Sequence, residues 1–305
     1  MRPLLPVLTL LIAWIGGASA PSAPRPARRA PTDSLRALLT ARIAATPGAE
    51  VAVWFEDLGR HDSLALGGDI SFHAASTMKV PVMIELFRRF DSGKATSVTE
   101  LFLQNAFASL VDGSVYTLDP KDDSDSAMYT LLSQNVTLAD LNEHMITRSS
   151  NLAANTLLQY LDPVRITATA RLLGARDIQV LRGVEDGKAF AKGLNNTTTA
   201  RDLGVLLVAI ERGKAASRWS CDSMRQVLLR QKFRDEIPAG LPAGTPVAHK
   251  TGWITGTLHD AAIVYPKGRG PYVLVVLTRK IPQQKDAQAL IADVSRLVYG
   301  FVMRK

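Results

Sequence analysis

The sequence contains one cysteine, Cys221, and five histidines among its 305 residues. A single cysteine excludes an intramolecular disulfide framework. Cys221 lies at the start of a helical pattern with no histidine nearby, so we interpret it as a small buried hydrophobe rather than as a catalytic thiol. The histidines lack the spacing of a metal site, and no His-Glu-x-x-His motif occurs. We therefore expect neither a metal nor a cofactor.

Two widespread catalytic motifs are also missing, the Gly-x-Ser-x-Gly nucleophile elbow and the glycine-rich phosphate loop. Lysine and arginine outnumber aspartate and glutamate by 36 to 28, but the basic residues are scattered among acids and form no stripe. No aromatic-basic motif for nucleic acid appears. We expect no nucleic-acid partner, and the positive charge favours anionic ligands or an anionic cell surface in general terms.

The apolar run at the N-terminus is short for a membrane span. Residues 1–20, "MRPLLPVLTLLIAWIGGASA", place one arginine before this run and end in the small residues Ala18 and Ala20. The pattern predicts a secretory signal peptide that is cleaved after Ala20. The alternative, an N-terminal membrane anchor, is disfavoured by the length of the run. We expect a secreted or periplasmic protein without a stable membrane anchor.

Residues 21–32 are rich in proline, alanine and arginine and have no apolar periodicity. They predict a flexible leader before a fold that starts near Thr32. Beyond the leader, a helical pattern and strands come first, a mostly helical stretch follows, and strands and a helix return at the end. The two ends of the chain should therefore share one sheet.

This order of patterns predicts two closely packed lobes. Residues 33–72 and 214–305 would form an α/β lobe, and residues 73–213 an all-helical lobe. Within the helical lobe, residues 178–196 include the polar, glycine-rich stretch "RGVEDGKAFAKGLNN". This loop is too long to be a mere connection, which favours a functional role.

Ser76 and Lys79 stand three residues apart in "HAASTMKVPVM", at the start of an apolar helical pattern. On a helix their side chains share a face. A serine hydroxyl is a weak nucleophile until a base accepts its proton, and lysine can do so only when neutral. The pKa of Lys79 would have to fall by about three units from its usual value of ~10.4. Taken alone, the pair also fits a serine that simply caps the helix.

The stretch "HKTGW", residues 249–253, adds a second set of groups. Lys250 supplies a cation, Thr251 a hydroxyl, and Gly252 has no side chain to block an adjacent substrate. A third set comes from "TRSSNLAAN", residues 147–155, at a break in a helical pattern.

In that third set, Ser149 and Asn151 lie two residues apart, so both could point into a cleft. A second Ser-x-Asn occurs at Ser133 to Asn135. We choose the later copy, because "LAANTLL" after it closely resembles the helix that follows this motif in class A β-lactamases.

Ser-x-x-Lys, Ser-x-Asn and Lys-Thr-Gly in this order resemble the signature of the penicillin-recognising serine hydrolases. The resemblance to class A β-lactamases covers nearly all of residues 33–305, including "NNTTTARDLGVLL" and "GTLHDAAIVYP". It implies an α/β (α+β) fold of the β-lactamase/transpeptidase type. In that fold an antiparallel sheet, flanked by helices from both chain ends, packs against an all-helical lobe with the active site between them. It also implies a monomeric enzyme whose partner is a small β-lactam substrate.

By the same resemblance, Ser76 is the acylated nucleophile, Lys79 its proton partner, and Ser149 a proton relay to the leaving nitrogen. The backbone N–H groups of Ser76 and Trp253 would form the oxyanion hole.

The remaining roles implied by the resemblance concern substrate binding. Asn151 would hold the amide of the substrate side chain. Lys250 and Thr251 would receive the substrate carboxylate, with Gly252 and Trp253 beside them.

Three departures from the class A pattern stand out. Ser150 replaces the usual aspartate, which weakens the support of the site, and Trp253 is bulky where the family has a small residue. The loop at residues 178–196 lacks the Glu-x-x-Leu-Asn motif that is usual in class A β-lactamases. Glu185, beside Asp186, is then the candidate base for deacylation. The alternative is that Glu185 is a loop-bracing acid paired with Arg182.

These departures leave several activities open. The preferred one is hydrolysis of the β-lactam ring through an acyl-serine intermediate, with water activated by Glu185. If Glu185 is out of reach, the protein would acylate and stay acylated. The alternatives are a D,D-peptidase or esterase of the same fold, and a slowly deacylating penicillin-binding protein or sensor.

Overall fold

The computed structural model describes residues 32–304. The predicted signal peptide and nearly all of the predicted leader lie outside the described residues. Within 32–304, no helix is both long enough and apolar enough to cross a membrane.

The α-helices of this part are α1 (Asp33–Ala44), α2 (Lys79–Asp91), α3 (Leu138–Thr147), α4 (Asn151–Leu161), α5 (Pro163–Leu172), α6 (Gly187–Ala191), α7 (Ala200–Glu211), α8 (Arg218–Leu229) and α9 (Gln284–Met303). The strands are β1 (Glu50–Asp57), β2 (Ser63–Leu66), β3 (Phe72–His73), β4 (Glu100–Phe102), β5 (Phe107–Ala108), β6 (Val115–Tyr116), β7 (Asn135–Thr137), β8 (Thr197–Thr198), β9 (Val247–Ile254), β10 (Thr257–Val264) and β11 (Tyr272–Arg279).

Five antiparallel strands form the main sheet, in the order β2-β1-β11-β10-β9. The N-terminal strand β1 pairs with the C-terminal strand β11 along its whole length, from Glu50 opposite Arg279 to Asp57 opposite Tyr272. The prediction that both chain ends share one sheet is therefore confirmed. β1 ends at Asp57, because Oδ1 of this residue accepts the N–H of Gly59 at 2.9 Å and turns the chain.

Both faces of the main sheet are covered, so its central strands are apolar on both sides. Val53 and Phe55 point into a core shared with α1 and α9. Ala52 and Trp54 point the other way, into a core shared with α2, α3, α4, α5, α7 and α8. Trp54 lies directly on Gly204 of α7, where a Cβ atom would come within 2.2 Å of its ring. This contact requires glycine at that position and seats α7 on the sheet.

The helix α2 lies at the centre of the helical part and packs against α3, α4, α5, α7 and α8. A single turn of 3₁₀ helix, Ala75–Met78, leads into it. Pro81 lies in the first turn of α2, where N–H groups have no partner within the helix, so its missing N–H costs little.

The polar break predicted in "TRSS" separates α3 from α4. Thr137 caps α3 by accepting the N–H of Asp140 at 3.1 Å, and Ser150 caps α4 in the same way. Between the two helices, Ser149 adopts a left-handed φ of 60°. The break therefore turns the chain sharply at the predicted site residue. The boundaries of the two lobes, near residues 72 and 214, stay a prediction.

Candidate active site

Two adjoining cavities, of about 340 and 520 Å³, open beside the edge strand β9. We call them together the cleft. Its walls include seven of the predicted site residues: Ser76, Ser149, Asn151, Glu185, Thr251, Gly252 and Trp253. The other two, Lys79 and Lys250, are fully buried behind these walls and reach Ser149 through hydrogen bonds. The fold thus brings all nine predicted residues to one place.

Ser76 lies in the 3₁₀ turn before α2 and is half-buried at the cleft. The preceding residue, Ala75, has a left-handed φ of 45°. Such backbone costs a non-glycine residue on the order of 1–3 kcal/mol. The N–H of Ala75 donates to Nδ1 of His73 at 3.0 Å, which holds the turn in place. This strained turn presents the serine hydroxyl to the cleft.

The Nζ atom of Lys79 donates three hydrogen bonds. Its acceptors are the carbonyl oxygen of Ser149 at 2.6 Å, Oγ of Ser149 at 3.3 Å and Oδ1 of Asn151 at 2.8 Å. Desolvation lowers the pKa of Lys79 to about 7, against the opposing charges of Asp123 and Glu185. A lysine that titrates near neutral pH supplies the free amine that can accept a serine proton.

Ser149 lies between the two buried lysines. Its Oγ accepts from Nζ of Lys79 at 3.3 Å and from Nζ of Lys250 at 3.0 Å. Burial holds the pKa of Lys250 well below its usual value, and the charge of Lys79 lowers it further. Because each ammonium group disfavours the charge of the other, their titrations are coupled. The Ser149 hydroxyl therefore bridges two groups that can exchange a proton.

Asn151 connects Lys79 to the loop carboxylate. Its Nδ2 donates to Oε1 of Glu185 at 2.7 Å, while its Oδ1 accepts from Lys79. Desolvation raises the pKa of Glu185, the bond from Asn151 opposes this, and the charge of Asp123 raises it further. Glu185 is exposed to the cleft and has a left-handed φ of 63°. A carboxylate that can accept a proton thus ends the hydrogen-bonded chain that starts at Lys79.

The neighbouring acid, Asp186, braces the loop. Its carboxylate accepts from Oγ of Ser109 at 2.9 Å and from the N–H of Leu110 at 2.8 Å. Arg182, the partner considered for Glu185, donates instead to two backbone carbonyls and one side-chain amide of the same loop. Glu185 and Asp186 therefore differ in role: one faces the cleft and the other holds the loop.

Asp123 is a site residue that sequence reasoning missed. Its Oδ2 accepts the N–H groups of Asn151 and Leu152 at 2.9 and 3.0 Å and the hydroxyl of Tyr129 at 3.0 Å. A carboxylate at the start of α4 interacts favourably with the helix dipole. Asp123 thus supports the Ser-x-Asn turn, where Ser150 provides no charge. Nothing in the stretch "DPKDDSD" distinguishes this aspartate from its neighbours.

Gly252 of β9 lies against the nucleophile turn. A Cβ atom there would come within 2.9 Å of the backbone nitrogens of Ser76 and Thr77. The glycine therefore allows the edge strand to approach the turn closely, a packing role that the sequence alone did not indicate. The next side chain, Trp253, is 57% exposed and borders both cavities of the cleft.

The groups that the sequence excluded from chemistry lie elsewhere. Cys221 is fully buried, with Sγ 3.6 Å from the carbonyl oxygen of Ala216. His249 is a fully buried residue of β9, and its Nδ1 lies 3.0 Å from Oδ1 of Asp260. Among residues 32–304, no group of three or more histidine, cysteine or acidic side chains could hold a metal ion.

Comparison with known proteins agrees with this geometry. A family model described as the beta-lactamase enzyme family matches residues 31–302. The chain is 30% identical over 263 residues to the beta-lactamase AST-1 of Nocardia asteroides, covering 85% of this chain and 81% of that protein. It is also 30% identical over 297 residues to a beta-lactamase of Streptomyces fradiae, covering 94% and 91% of the two chains.

Solved structures confirm the predicted fold class. An ancestral class A beta-lactamase superposes with a TM-score of 0.75 at 27% identity, covering 87% of this chain and 99% of the other. A solved structure of a protein named PBP-A gives the same TM-score and identity, covering 88% of this chain and 95% of the other. With the Ser-x-x-Lys, Ser-x-Asn and Lys-Thr-Gly residues gathered in one cleft, these matches lead to one conclusion: the chain belongs to the β-lactamase enzyme family.

Proposed function

We propose that this protein hydrolyses the β-lactam ring through an acyl intermediate on Ser76. The observation that carries the proposal is the buried Lys79, whose Nζ is hydrogen-bonded to both Ser149 and Asn151 and whose pKa is lowered to about 7 by desolvation. The relatives named beta-lactamases support the same chemistry. The substrate is a small molecule, and no step requires a cofactor.

In the acylation step, Oγ of Ser76 attacks the ring carbonyl carbon and its proton passes to the free amine of Lys79. The backbone N–H groups of Ser76 and Trp253 stabilise the negative oxygen that forms. The ring C–N bond then breaks, and the nitrogen receives a proton through Ser149. Since Oγ of Ser149 contacts both lysines, the proton delivered can be replaced from either one.

In the deacylation step, Glu185 removes a proton from a water molecule that attacks the acyl carbonyl carbon, the ester C–O bond to Ser76 breaks, and the proton held by Glu185 returns to Oγ of Ser76. Asn151 orients Glu185 by its 2.7 Å hydrogen bond and remains available to the substrate amide. Lys250 and Thr251 receive the substrate carboxylate, whose charge favours the protonated form of the buried lysine.

A slowly deacylating penicillin-binding protein is the second candidate. It is favoured by a specific similarity, since a PBP-A mutant solved as an acyl-enzyme complex with penicillin G superposes with a TM-score of 0.75 at 28% identity. The two candidates share the acylation step and differ only in the fate of the acyl-enzyme. Glu185 therefore decides between them.

The test follows an excess of a chromogenic cephalosporin by colour and by intact mass, with wild type and Glu185→Gln. Sustained turnover in the wild type that becomes a trapped adduct in the variant supports the hydrolase. General-base catalysis contributes about 10²–10⁴-fold, so kcat should fall by that factor. Glu143→Gln, at an acid paired with Arg230 and absent from the cleft walls, is the matched control.

A single-equivalent burst in all three proteins would instead identify a penicillin-binding protein. Absence of any adduct in the wild type would contradict both candidates.

The proposal also covers the localisation and the oligomeric state of the protein. Residues 1–20 support export by a cleaved signal peptide, and we propose a secreted or periplasmic monomer with two lobes bounded near residues 72 and 214. N-terminal sequencing of the exported protein should begin at residue 21. Light scattering of that material should give the mass of one chain.

A further inference from the structure

We infer that Glu236 forms an anionic subsite in the cleft, which favours β-lactams that carry a cationic substituent next to their carboxylate. The inference rests on the proposed function and extends it to a substrate class. It concerns a carboxyl group that no catalytic step described above requires.

The carboxyl of Glu236 is buried without adequate partners. The residue is 3% exposed and lines the 340 Å³ cavity that also contains Ser76 and Thr251. Its Oε1 accepts one long hydrogen bond, 3.4 Å, from Nε2 of Gln288. Its Oε2 is buried and has no hydrogen-bond partner within residues 32–304. A buried carboxylate without partners is unfavourable, and a cation in the cavity would relieve it.

The same cavity is acidic around its wall. Among the described residues that line it, Asp122, Asp123 and Asp235 accompany Glu236, while Lys121 is the basic residue. Asp123 already accepts hydrogen bonds from Asn151 and Leu152, but the charges of all four acids add to the field in the cavity. Around Glu236 the field therefore favours a cationic ligand group, whereas the substrate carboxylate is received at Lys250 and Thr251.

The neighbours of Glu236 determine when it is charged. Desolvation raises its pKa to about 7, with the charge of Asp260 on β10 and that of Asp235 acting in the same direction. Gln288 of α9 opposes this through its hydrogen bond. On β9, the charge of Lys250 interacts with Glu236, which raises the pKa of that lysine.

Asp260 is held by its own partners and shares no hydrogen bond with Glu236. Its Oδ2 accepts the N–H of Ile237 at 3.1 Å, and its carboxylate faces Nδ1 of His249 at 3.0 Å. Glu236 therefore becomes anionic as the pH rises through neutrality. A bound cation stabilises that anion and lowers the pKa of Glu236.

The chemistry of cephalosporins places a suitable cation nearby. In these substrates the carboxylate and the C3 substituent are attached to adjacent ring atoms. If the carboxylate meets Lys250 and Thr251, the C3 substituent lies at the same end of the cleft as Glu236. A pyridinium or other quaternary ammonium group at C3 supplies a permanent cation there.

The experiment compares two cephalosporins that share the same acylamino side chain, one with a pyridinium and one with a neutral group at C3. The measured quantity is the ratio of their kcat/KM values at pH 6 and pH 8.5. Both substrates carry the same carboxylate, so indirect effects through Lys250 cancel in the ratio. The wild-type ratio should rise at least about fivefold with pH, as expected for one charge pair in a partly solvated cleft.

Three variants complete the test. Glu236→Gln should make the ratio independent of pH, Glu236→Asp should retain the dependence, and Glu143→Gln should behave as wild type. A ratio in Glu236→Gln that still rises with pH, or a wild-type ratio that is flat, overturns the inference. Because the wild-type profile decides by itself, a poorly folding variant does not weaken the test.

Failure of the proposed function would give a different experimental result. Absence of acylation by either substrate at both pH values would overturn the proposed function and this inference together. Acylation with a flat ratio overturns the inference alone.

Discussion

The residues proposed for acylation and the residue proposed for deacylation are held in the cleft by different means. Ser76, Lys79 and Ser149 sit at helix starts and are fixed by buried hydrogen bonds and by the close approach of β9. Glu185 lies on a loop, is exposed, and is connected to the acylation residues through one hydrogen bond to Asn151. The acylation groups are therefore rigidly placed, whereas the deacylation group depends on few contacts. Deacylation should be the step most easily changed by substitution.

The largest expected effect is the loss of the nucleophile. Ser76→Ala should abolish both the covalent adduct and turnover, because the acyl bond forms on the Ser76 hydroxyl. Intact mass after incubation with a penicillin measures this.

Ser133→Ala, at the exposed serine of the earlier Ser-x-Asn, is the control and should retain wild-type acylation, whereas Ser149→Ala should not. Equal losses in Ser133→Ala and Ser149→Ala would sink the choice of the later motif.

The pH dependence should separate acylation, which requires Lys79, from deacylation, which requires Glu185. Protonation of Lys79, whose pKa is about 7, removes the base for acylation, so the acylation rate should fall about tenfold per unit below neutrality. Deacylation should be lost at a higher pH than an ordinary carboxyl would predict, because the pKa of Glu185 is raised. Stopped-flow acylation and steady-state kcat measure the two profiles.

In Glu185→Gln the acylation profile should keep its shape and move to a slightly lower pH, because the charge of Glu185 raises the pKa of Lys79. An acylation rate that does not fall between pH 8 and pH 5 would exclude Lys79 as the proton acceptor.

A smaller effect is expected from the support of the Ser-x-Asn turn. Asp123→Asn removes the charged acceptor of the N–H groups of Asn151 and Leu152, which should lower the free energy of unfolding by about 1–3 kcal/mol. Urea denaturation measures this loss. Asp122→Asn, at the exposed neighbour, is the matched control and should stay within about 0.5 kcal/mol of wild type. Equal stabilities of the two variants would contradict the supporting role.

The smallest effect concerns the mouth of the cleft. Trp253→Ala should raise kcat/KM for β-lactams with bulky side chains by a few fold relative to those with small ones, because this exposed ring borders both cavities. The melting temperature should barely change. Trp219→Ala, at an exposed tryptophan on α8, should alter neither quantity. An unchanged preference in Trp253→Ala would remove the ring from substrate selection.

Motifs on regular elements could be predicted from the sequence, and contacts between distant loops could not. Ser76 with Lys79, and Ser149 with Asn151, follow from helical spacing and a helix break, and the shared sheet follows from strand patterns at both ends. Asp123 and Glu236 were missed, because their roles depend on which backbone groups and cavities the fold brings to them. The same limit applies to Glu185: its loop was recognised, but its bond to Asn151 spans 34 residues of chain.

The left-handed backbone at Ala75, Ser149 and Glu185 has a consequence for how this protein can change. Three strained residues at one cleft leave the native state less stable than its core alone would make it. Mutations that alter substrate preference must therefore be accommodated by a native state with a smaller free energy of unfolding. Stabilising substitutions in the distant core under α1 and α9 should therefore widen the range of cleft variants that still fold, which links evolvability at the cleft to packing far from it.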